Sequence, residues 1–340
     1  MNFSIIIPCY NEEKIIVATL TKLLHYLAEN YPSNDIEVLL INDGSRDRTE
    51  ALVKEFAENH PLINIHSFKY NQGRGAAVIK GLSMAKQDYV LVLDADLSYD
   101  TFHIRQILDI FVGEPSVDCV VVSPYAAGGK VRNVPWMRHF ISRMANRILS
   151  RSFSLELTTV TSVVRGYKRQ SYRGIQFIER GKELHLEILR NLDLVGAKIV
   201  EIPGVLEWKD KSRSGRLKWG QIFTTTRKHL LYGLLNRPTR FLKFLTVGTL
   251  FVGVYESILL AVHLIRNFEW VDEGFGRSLW FALAKTLQAS PHTVILAAVG
   301  LILGFQALAF LVTLKLLTLQ QRELLAHSLK LQQRLADREE

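Results

Sequence analysis

The stretch from Tyr89 to Leu97 reads YVLVLDADL, in which five mostly apolar, β-favouring residues are followed directly by an Asp-Ala-Asp sequence. A short continuous apolar run is typical of a strand buried on both faces of a parallel sheet, where covering helices exclude water. We therefore predict a strand over Tyr89–Leu93 whose carboxyl end presents Asp94 and Asp96.

Four further runs of the same kind flank this stretch, with helical patterns between them. The predicted strands are Phe3–Ile7, Ile36–Ile41, Ile63–Ser67 and Val117–Ser123, and the predicted helices are Glu12–Glu29, Asp47–Asn59, Arg74–Ala85 and Thr101–Phe111. Strands that alternate with helices indicate an α/β fold with a mostly parallel sheet covered on both faces. Ligands of such sheets bind at the carboxyl ends of the strands, so functional residues are expected there.

Each of the first four strands along the chain runs into a polar cluster. The clusters are Pro8-Cys9-Tyr10-Asn11-Glu12-Glu13, Asn42-Asp43-Gly44-Ser45, Asn71-Gln72-Gly73-Arg74-Gly75-Ala76 and Asp94-Ala95-Asp96-Leu97. Any one of them is compatible with ordinary turn chemistry. All four in order, at one edge of one sheet, indicate a binding site instead.

The aspartates after the fourth strand form the predicted metal site. Asp94 and Asp96 can share Mg²⁺ or Mn²⁺ with a diphosphate, and the cation would offset charge on a departing nucleotide. Asp43 is expected to accept hydrogen bonds from a base or ribose, while Gly73 and Gly75 let backbone approach a ligand closely. The glycine spacing matches neither a Walker A loop nor a dinucleotide fingerprint, which disfavours kinase-like and dinucleotide functions.

Together the four clusters resemble those of glycosyltransferase family 2, in the branch of dolichyl-phosphate mannose synthase and bacterial polyprenyl-phosphate glycosyltransferases. The resemblance covers about residues 1–235. It implies a GT-A fold, a nucleotide-sugar donor of the GDP-mannose or UDP-glucose type, a divalent metal at Asp94 and Asp96, and inversion at the anomeric carbon. The donor-binding residues that it implies are Pro8, Tyr10, Asn11, Glu12, Asp43, Asn71, Gly73, Gly75, Ala76 and Asp94.

A second set of residues resembles the branch's site for the acceptor lipid phosphate. The segment from Arg138 to Asn146 reads RHFISRMAN, and the resemblance implies that Arg138 and Ser142 hold that phosphate. These two residues are one helical turn apart, so they share one helix face. Arg213 and Arg216 lie where the branch places a loop that contacts phosphate.

The resemblance continues through Glu187 and Gly196–Pro203, the helix and strand that close the domain, but two segments depart from it. Ser123-Pro124-Tyr125 stands where the branch has Ser-Arg-Tyr, so one expected phosphate-binding arginine is missing. Residues Thr159 to Arg165 read TVTSVVR in place of Asp-x-Thr-Ser-Gly-Phe-Arg. Neither departure touches the metal site.

A polyprenyl phosphate carries its nucleophile as an anion, so no strong general base is required and the protein's task is positioning. The expected enzyme is a hexosyltransferase that moves one hexose to dolichyl or undecaprenyl phosphate. A processive polysaccharide synthase and an inactive membrane scaffold are the alternatives. Two membrane spans are few for a polymer channel, and intact Asp94 and Asp96 argue against an inactive protein.

Much of the positive charge lies in one segment. The 340 residues include 42 Lys+Arg and 33 Asp+Glu, a formal charge of +9, and the 48% hydrophobic content excludes a disordered protein. Eight basic residues and no acid lie between Arg213 and Lys243. Because such a segment is attracted to anionic headgroups, we predict basic juxtamembrane amphipathic helices there, and no nucleic-acid partner. Cys9 and Cys119 lie beside apolar runs and are expected to be buried thiols.

Two apolar segments follow, Phe244–Ile265 and Thr293–Leu314, each of 22 residues. Each is long enough to cross a hydrocarbon core about 30 Å thick. Basic residues are denser outside the pair than in the linker between them. The positive-inside rule therefore predicts a cell-membrane protein with two spans, both chain ends and the catalytic domain in the cytoplasm, and an extracytoplasmic linker.

These patterns divide the chain into four predicted parts. They are a GT-A domain over 1–212, the basic juxtamembrane helices over 213–243, two transmembrane helices with a short linker over 244–318, and a cytoplasmic amphipathic tail over 319–340. Within the linker, Ser278–Ala289 is too short to span and is predicted to be an interfacial helix. In the tail, Leu317, Leu324 and Leu331 recur every seven residues, which is compatible with a coiled coil in a homo-oligomer or with a helix on the cytoplasmic leaflet.

Overall fold

The computed structural model describes residues 1–32, 35–152, 157–208, 238–270, 272 and 274–339. The chain divides into two compact units, one made of Met1–Gly233 with Arg322–Glu340 and the other of Leu234–Gln321. We call the first the sheet unit and the second the helical unit.

The sheet unit contains a seven-stranded sheet. Its strands are β1 (Phe3–Cys9), β2 (Ile36–Asn42), β3 (Ile63–Ser67), β4 (Tyr89–Val92), β5 (Cys119–Ser123), β7 (Arg165–Lys168) and β8 (Ile199–Pro203). They lie in the order β3-β2-β1-β4-β7-β5-β8, and all are parallel except β7, which is antiparallel to β4 and β5. The predicted mostly parallel α/β sheet is confirmed, with the five predicted strands in place. A separate parallel pair is formed by β6 (Lys130–Arg132) and β9 (Val205–Glu207).

Helices alternate with these strands, as the sequence predicts. The helices described between residues 1 and 208 are α1 (Ile16–Asn30), α2 (Thr49–Glu58), α3 (Arg74–Met84), α4 (Phe102–Gly113), α5 (Trp136–Ser152), α6 (Arg169–Tyr172) and α7 (Leu184–Leu194). The first helix begins four residues later than its predicted start at Glu12. The backbone N–H groups of Glu12 and Glu13 instead donate to Thr49 Oγ1 and Asp47 Oδ2, which ties the first strand-end loop to the second.

Apolar side chains cover both faces of the sheet. Along β1, Ile5 and Ile7 join one buried cluster with residues of α1 and α4, whereas Ile6 joins another with residues of α3 and α7. This alternation follows from the two-residue period of a strand, and each buried isoleucine contributes roughly 1.5–3 kcal/mol relative to exposure. The loops at the carboxyl edge therefore start from rigid strands.

The helical unit contains α8 (Pro238–Asn267), α9 (Phe275–Ala289) and the greater part of α10 (Pro291–Glu339). Among the described residues, two stretches are long and apolar enough to cross a membrane, Leu242–Asn267 and Pro291–Ser328. Only 11% and 28% of their most apolar parts are buried, so most of these apolar side chains need a non-aqueous environment. The two predicted candidate spans are thus present as helices, and the predicted tail continues α10 without a break.

Glycines bring α8 and α10 into backbone contact. A Cβ atom placed on Gly253 would lie 2.6 Å from the backbone nitrogen of Leu301, and one on Gly300 would lie 2.7 Å from the Cα of Gly253. Small residues that let two helix backbones meet are characteristic of helix pairs in membranes, where close packing replaces the hydrophobic effect. Gly248, on the same helix as Gly253, faces open space.

We predict that Gly300→Leu lowers the melting temperature of the purified full chain in detergent, because the new side chain must separate α8 from α10. Overpacking of this kind costs about 1–3 kcal/mol. Gly248→Leu is the matched control and should leave the melting temperature unchanged or raise it, since leucine is the better helix former. Tryptophan-fluorescence melting measures both variants. Equal losses in the two would contradict the described packing.

Candidate active site

The parallel ladder places the first four strand ends side by side. Cys9 at the end of β1 pairs with Asn42 at the end of β2, and Asn42 pairs in turn with Ser67 of β3. On the other side, β1 pairs with β4, from which the chain continues to Asp94. The four predicted polar clusters therefore meet at one sheet edge.

Asn11 joins the first two loops. Its backbone N–H donates to Ser45 Oγ over 2.9 Å, and its Oδ1 accepts the N–H of Arg46 over 2.8 Å. Asn11 has a φ of 55°, a left-handed conformation that asparagine tolerates better than most residues. Of the other predicted donor-binding residues in this cluster, Tyr10 is exposed and Pro8 is buried within β1.

Asp43 holds the third loop in place. Its Oδ1 accepts the N–H of Gln72 over 2.7 Å, and its Oδ2 accepts the N–H of Gly73 over 3.0 Å. Burial raises the pKa of the Asp43 carboxyl, and these two hydrogen bonds partly oppose that shift. Each oxygen of the Asp43 carboxylate can accept a further hydrogen bond. A contact with a base or ribose is therefore possible in this geometry and stays a prediction.

The glycines of the third loop lie against the backbone of a distant segment, Arg180 and Gly181. A Cβ atom on Gly73 would lie 2.5 Å from the carbonyl oxygen of Arg180, and one on Gly75 would lie 2.5 Å from that of Gly181. The N–H of Ala76 also donates to the Arg180 carbonyl. Glu187 on α7 anchors this segment by accepting neighbouring backbone N–H groups. The close approach inferred from the sequence is therefore made here by the segment before α7; contact with a ligand stays a prediction.

Asp94 and Asp96 form a carboxylate pair beside one cation. Arg74 Nη1 lies 3.6 Å from Asp94 Oδ1, and Ser98 donates its N–H to Asp96 Oδ1 over 2.9 Å. Burial raises the pKa of Asp94 to about 6, and the Asp96 charge adds to that effect while Arg74 opposes it. Arg74 therefore neutralises only part of the negative charge of the two carboxylates.

This donor set fits a hard divalent cation. Asp94 and Asp96 offer carboxylate oxygens only. Among the described residues, no group of three or more His, Cys, Asp or Glu side chains is arranged to hold a metal ion. Mg²⁺ and Mn²⁺ are commonly bound by one or two carboxylates together with substrate phosphates and water. Asp94 and Asp96 would hold the cation, with a diphosphate completing its coordination.

A cavity of about 380 Å³ joins this pair to the predicted acceptor residues. Its lining includes Asp94 and Asp96 after β4 and Arg138 and Ser142 of α5. Two larger cavities, of about 550 and 710 Å³, contain none of these four residues. The structure therefore brings together residues that are more than forty positions apart in sequence.

Aromatic side chains position the α5 residues. The Arg138 guanidinium carbon lies 3.9 Å from the ring centroid of Trp208, and Tyr125 stacks on His139 with centroids 5.6 Å apart. Burial raises the pKa of the Tyr125 hydroxyl, and the neighbouring Ser142 partly opposes that shift. Sequence reasoning did not single out Trp208, which lies outside every motif quoted, or His139, to which the resemblance over Arg138–Asn146 gives no role. Arg213 and Arg216, the other predicted phosphate ligands, lie outside the described residues.

Comparison with known proteins identifies the class. The model of the family "Glycosyl transferase family 2" matches residues 4–175, half of the chain. The chain therefore belongs to glycosyltransferase family 2, and it is a glycosyltransferase with a GT-A fold.

Among its relatives is the dolichol-phosphate mannosyltransferase of Pyrococcus furiosus, which is 28% identical over 295 residues, 80% of either chain. The polyprenol monophosphomannose synthase of Mycolicibacterium smegmatis is 28% identical over 206 residues, 58% of this chain and 75% of that protein. Among solved structures, glucosyl-3-phosphoglycerate synthase of Mycobacterium tuberculosis aligns with a TM-score of 0.50 and 16% identity, covering 69% of this chain and 78% of that one. The structural likeness supports the fold.

We predict that Asp96→Asn weakens Mn²⁺ binding by roughly tenfold or more, because an amide oxygen attracts the cation less than a carboxylate does. Electron paramagnetic resonance of free Mn²⁺, with GDP or UDP present, measures the binding. Asp100→Asn is the matched control, since Asp100 pairs with Lys22 and does not line the cavity. Wild-type Mn²⁺ affinity in Asp96→Asn would contradict the assigned metal site.

Proposed function

We propose that this enzyme transfers a single hexose from a nucleotide sugar, of the GDP-mannose or UDP-glucose type, to polyprenyl phosphate with inversion. The observation that carries the proposal is the shared cavity, whose lining includes the carboxylate pair together with Arg138 and Ser142. The metal needs carboxylate ligands, whereas the anionic acceptor needs a cation. The cavity is lined by the carboxylates of Asp94 and Asp96 and by the guanidinium of Arg138, together with Arg74 and Glu207.

The relatives support this choice of acceptor. Several that cover most of this chain bear names of polyprenyl-phosphate sugar transferases, including an undecaprenyl-phosphate 4-deoxy-4-formamido-L-arabinose transferase from Aeromonas hydrophila, 25% identical over 80% of this chain. Their names differ in the sugar, so the resemblance favours the lipid phosphate acceptor more strongly than any one donor.

In the proposed reaction, a phosphate oxygen of the acceptor bonds to the anomeric carbon, and the bond from that carbon to the donor diphosphate breaks. A bound Mg²⁺ or Mn²⁺ would neutralise charge on the departing nucleoside diphosphate. Arg138 holds the acceptor phosphate with its planar fork of N–H groups, and Ser142 adds one donor. Because the acceptor is already an anion, no side chain has to remove a proton from it.

Trp208 keeps the guanidinium of Arg138 ready for this role. The guanidinium carbon lies 3.9 Å from the centroid of the indole ring, a cation–π contact that restrains the arginine side chain. An arginine that is already restrained loses less conformational freedom when it binds phosphate than one that is free to rotate. Trp208 is therefore a positioning residue in the proposed mechanism.

We place the catalytic site on the cytoplasmic face of the cell membrane, with two spans. Support comes from the two apolar helices and from the denser basic residues outside the pair. A water-soluble donor and a membrane-bound acceptor can then meet at the membrane surface. Association of copies through the end of α10 stays a prediction.

Incubation of the purified full chain with radiolabelled nucleotide sugars and polyprenyl phosphate tests the activity. The proposal expects label in a lipid-extractable product with one sugar per lipid, and loss of that product when EDTA removes the metal. Label in a polymer would indicate a processive synthase. Absence of transfer across the whole set of donors would contradict the proposal.

We predict that Arg138→Ala raises KM for polyprenyl phosphate or lowers kcat by roughly tenfold or more, since a charge-assisted phosphate contact contributes about 1.5–3 kcal/mol. Donor affinity should stay nearly unchanged. Arg138→Lys should rescue only part of the loss, because an ammonium keeps the charge but loses the planar fork. Arg105→Ala, an exposed arginine on α4, is the matched control. Weakened donor binding with unchanged acceptor kinetics would assign Arg138 to the nucleotide instead.

Labelling of single added cysteines tests the membrane topology. An impermeant thiol reagent applied to intact cells should label Asp272→Cys in the linker, and should not label Ser328→Cys in α10. Background from the native thiols should be low, because burial raises the pKa of both Cys9 and Cys119 to about 12. The reverse labelling pattern would contradict the proposed orientation.

A further inference from the structure

The active-site cavity contains a third carboxylate that the proposed reaction does not use. Glu207, the last residue of β9, lines the cavity together with Asp94, Asp96 and Arg138. It does not complete a three-carboxylate metal site, because no group of three His, Cys, Asp or Glu side chains within the described part of the chain is arranged to hold an ion. The Glu207 carboxylate therefore needs a different ligand.

The charge of Glu207 is unfavourable for most of what this cavity is proposed to bind. The donor diphosphate and the acceptor phosphate are both anions, and a further carboxylate in the same cavity repels them. Among the residues that the structure describes, Glu207 forms no ion pair that would cancel its charge. The transferred hexose is uncharged, and its hydroxyl groups can donate hydrogen bonds to a carboxylate.

Backbone hydrogen bonds tie Glu207 to the loop that carries the metal-binding pair. The N–H of Glu207 donates to the carbonyl oxygen of Ser98 over 2.8 Å, and the N–H of Ser98 donates to Asp96 Oδ1 over 2.9 Å. An isolated bridge between Tyr99 and Leu206 continues this pairing. Glu207 is therefore linked to the position at which the donor diphosphate would bind.

The next residue, Trp208, is linked to the proposed acceptor site. Its ring centroid lies 3.9 Å from the guanidinium carbon of Arg138, and its N–H donates to the carbonyl oxygen of Arg132 in β6 over 3.1 Å. In a transfer with inversion, the hexose lies between the diphosphate that leaves and the phosphate that attacks. Glu207, which is connected to both subsites, is placed to contact that hexose.

The side chain of Glu207 is held in position and can still bind a ligand. Its Oε1 accepts a hydrogen bond from Nδ2 of Asn133 over 3.3 Å. A carboxylate offers about four acceptor positions, so this bond leaves room for hydroxyl groups of a sugar. Glu207 is half-buried, which reduces the competition from water for those positions.

We propose that Glu207 accepts hydrogen bonds from hydroxyl groups of the transferred hexose and selects uncharged hexoses over hexuronic acids. A hexuronate would bring its own carboxylate towards that of Glu207, and like charges repel. A neutral hexose instead supplies the donors that the Glu207 carboxylate needs. This role for Glu207 rests on the proposed function, since the donor sugar has to occupy the cavity that Asp94 and Arg138 line.

Calorimetric titration of the purified full chain with Mn²⁺ tests the contact without an activity readout. The ligands are UDP against UDP-glucose and GDP against GDP-mannose. Glu207→Gln should bind the preferred nucleotide sugar roughly tenfold more weakly than the wild type, because it loses hydrogen bonds to a charged acceptor. Its affinity for the matching nucleoside diphosphate should not change, which also shows that the variant is folded.

Glu114→Gln is the matched control for this titration. Glu114 is an exposed glutamate that pairs with Lys198 and does not line the cavity. Its substitution removes the same charge from the chain, so the affinities for all four nucleotides should equal those of the wild type.

Nucleotide-linked uronic acids test the selectivity. The wild type should bind UDP-glucuronate more weakly than UDP-glucose, and GDP-mannuronate more weakly than GDP-mannose. Glu207→Gln should narrow this ratio by about fourfold, the repulsion of two unit charges about 5 Å apart in water-like surroundings.

Two titration results would overturn the role of Glu207 while leaving the transfer reaction standing. Equal weakening of the nucleoside diphosphate and the nucleotide sugar in Glu207→Gln would assign the residue to the metal or the diphosphate. Unchanged affinity for both, with an unchanged uronate ratio, would leave it a structural role alone. Failure of the wild type to bind any of the four nucleotides would instead contradict the proposed function, and the sugar contact with it.

Discussion

The backbone ladder that joins β1 to both β2 and β4 determines where the polar loops of this enzyme lie. Phe3 pairs with Ile36 on one side and with Tyr89 on the other, so three parallel strands start level and end near one another. Their carboxyl ends then deliver Asn11, Asp43 and Asp94 to a single edge. Loop contacts such as those of Asn11 with Ser45 and Arg46 refine this arrangement, but the strand pairing creates it.

The charged groups that line one cavity are the second organising feature. Asp94 and Asp96 line it with Arg74 beside Asp94, and Arg138 and Glu207 line it as well. Carboxylates held together in partly buried surroundings repel each other, and a divalent cation relieves that repulsion. The proposed chemistry uses both kinds of charged group, since the leaving diphosphate belongs beside the metal cation and the acceptor phosphate beside the Arg138 guanidinium.

The strands and the carboxylate pair could be predicted from the sequence because they depend on local patterns. A buried parallel strand requires a continuous apolar run, and Asp94 and Asp96 follow such a run directly. The contacts at Gly73 and Gly75 could not be predicted, since the approaching segment at Arg180 lies more than a hundred residues away. The contact of Trp208 with Arg138 could not be predicted either. Trp208 comes directly after β9, and a strand of three residues is too short to give a periodic pattern. The predicted start of α1 was too early because a turn precedes the helix: the N–H groups of Ile15 and Ile16 donate to the Glu12 carbonyl. The N–H groups of Glu12 and Glu13 bond to residues of the second strand-end loop and of α2, contacts that a local pattern does not show.

The central claim is that the donor metal and the acceptor phosphate occupy one cavity. Phosphorus ENDOR spectroscopy on the Mn²⁺-loaded full chain, with a nucleoside diphosphate and a short-chain polyprenyl phosphate, measures this most directly. The account predicts a strong coupling from the coordinated diphosphate and a second, weaker coupling from the acceptor phosphorus, which Arg138→Ala removes. A spectrum that is unchanged when the polyprenyl phosphate is added would contradict it.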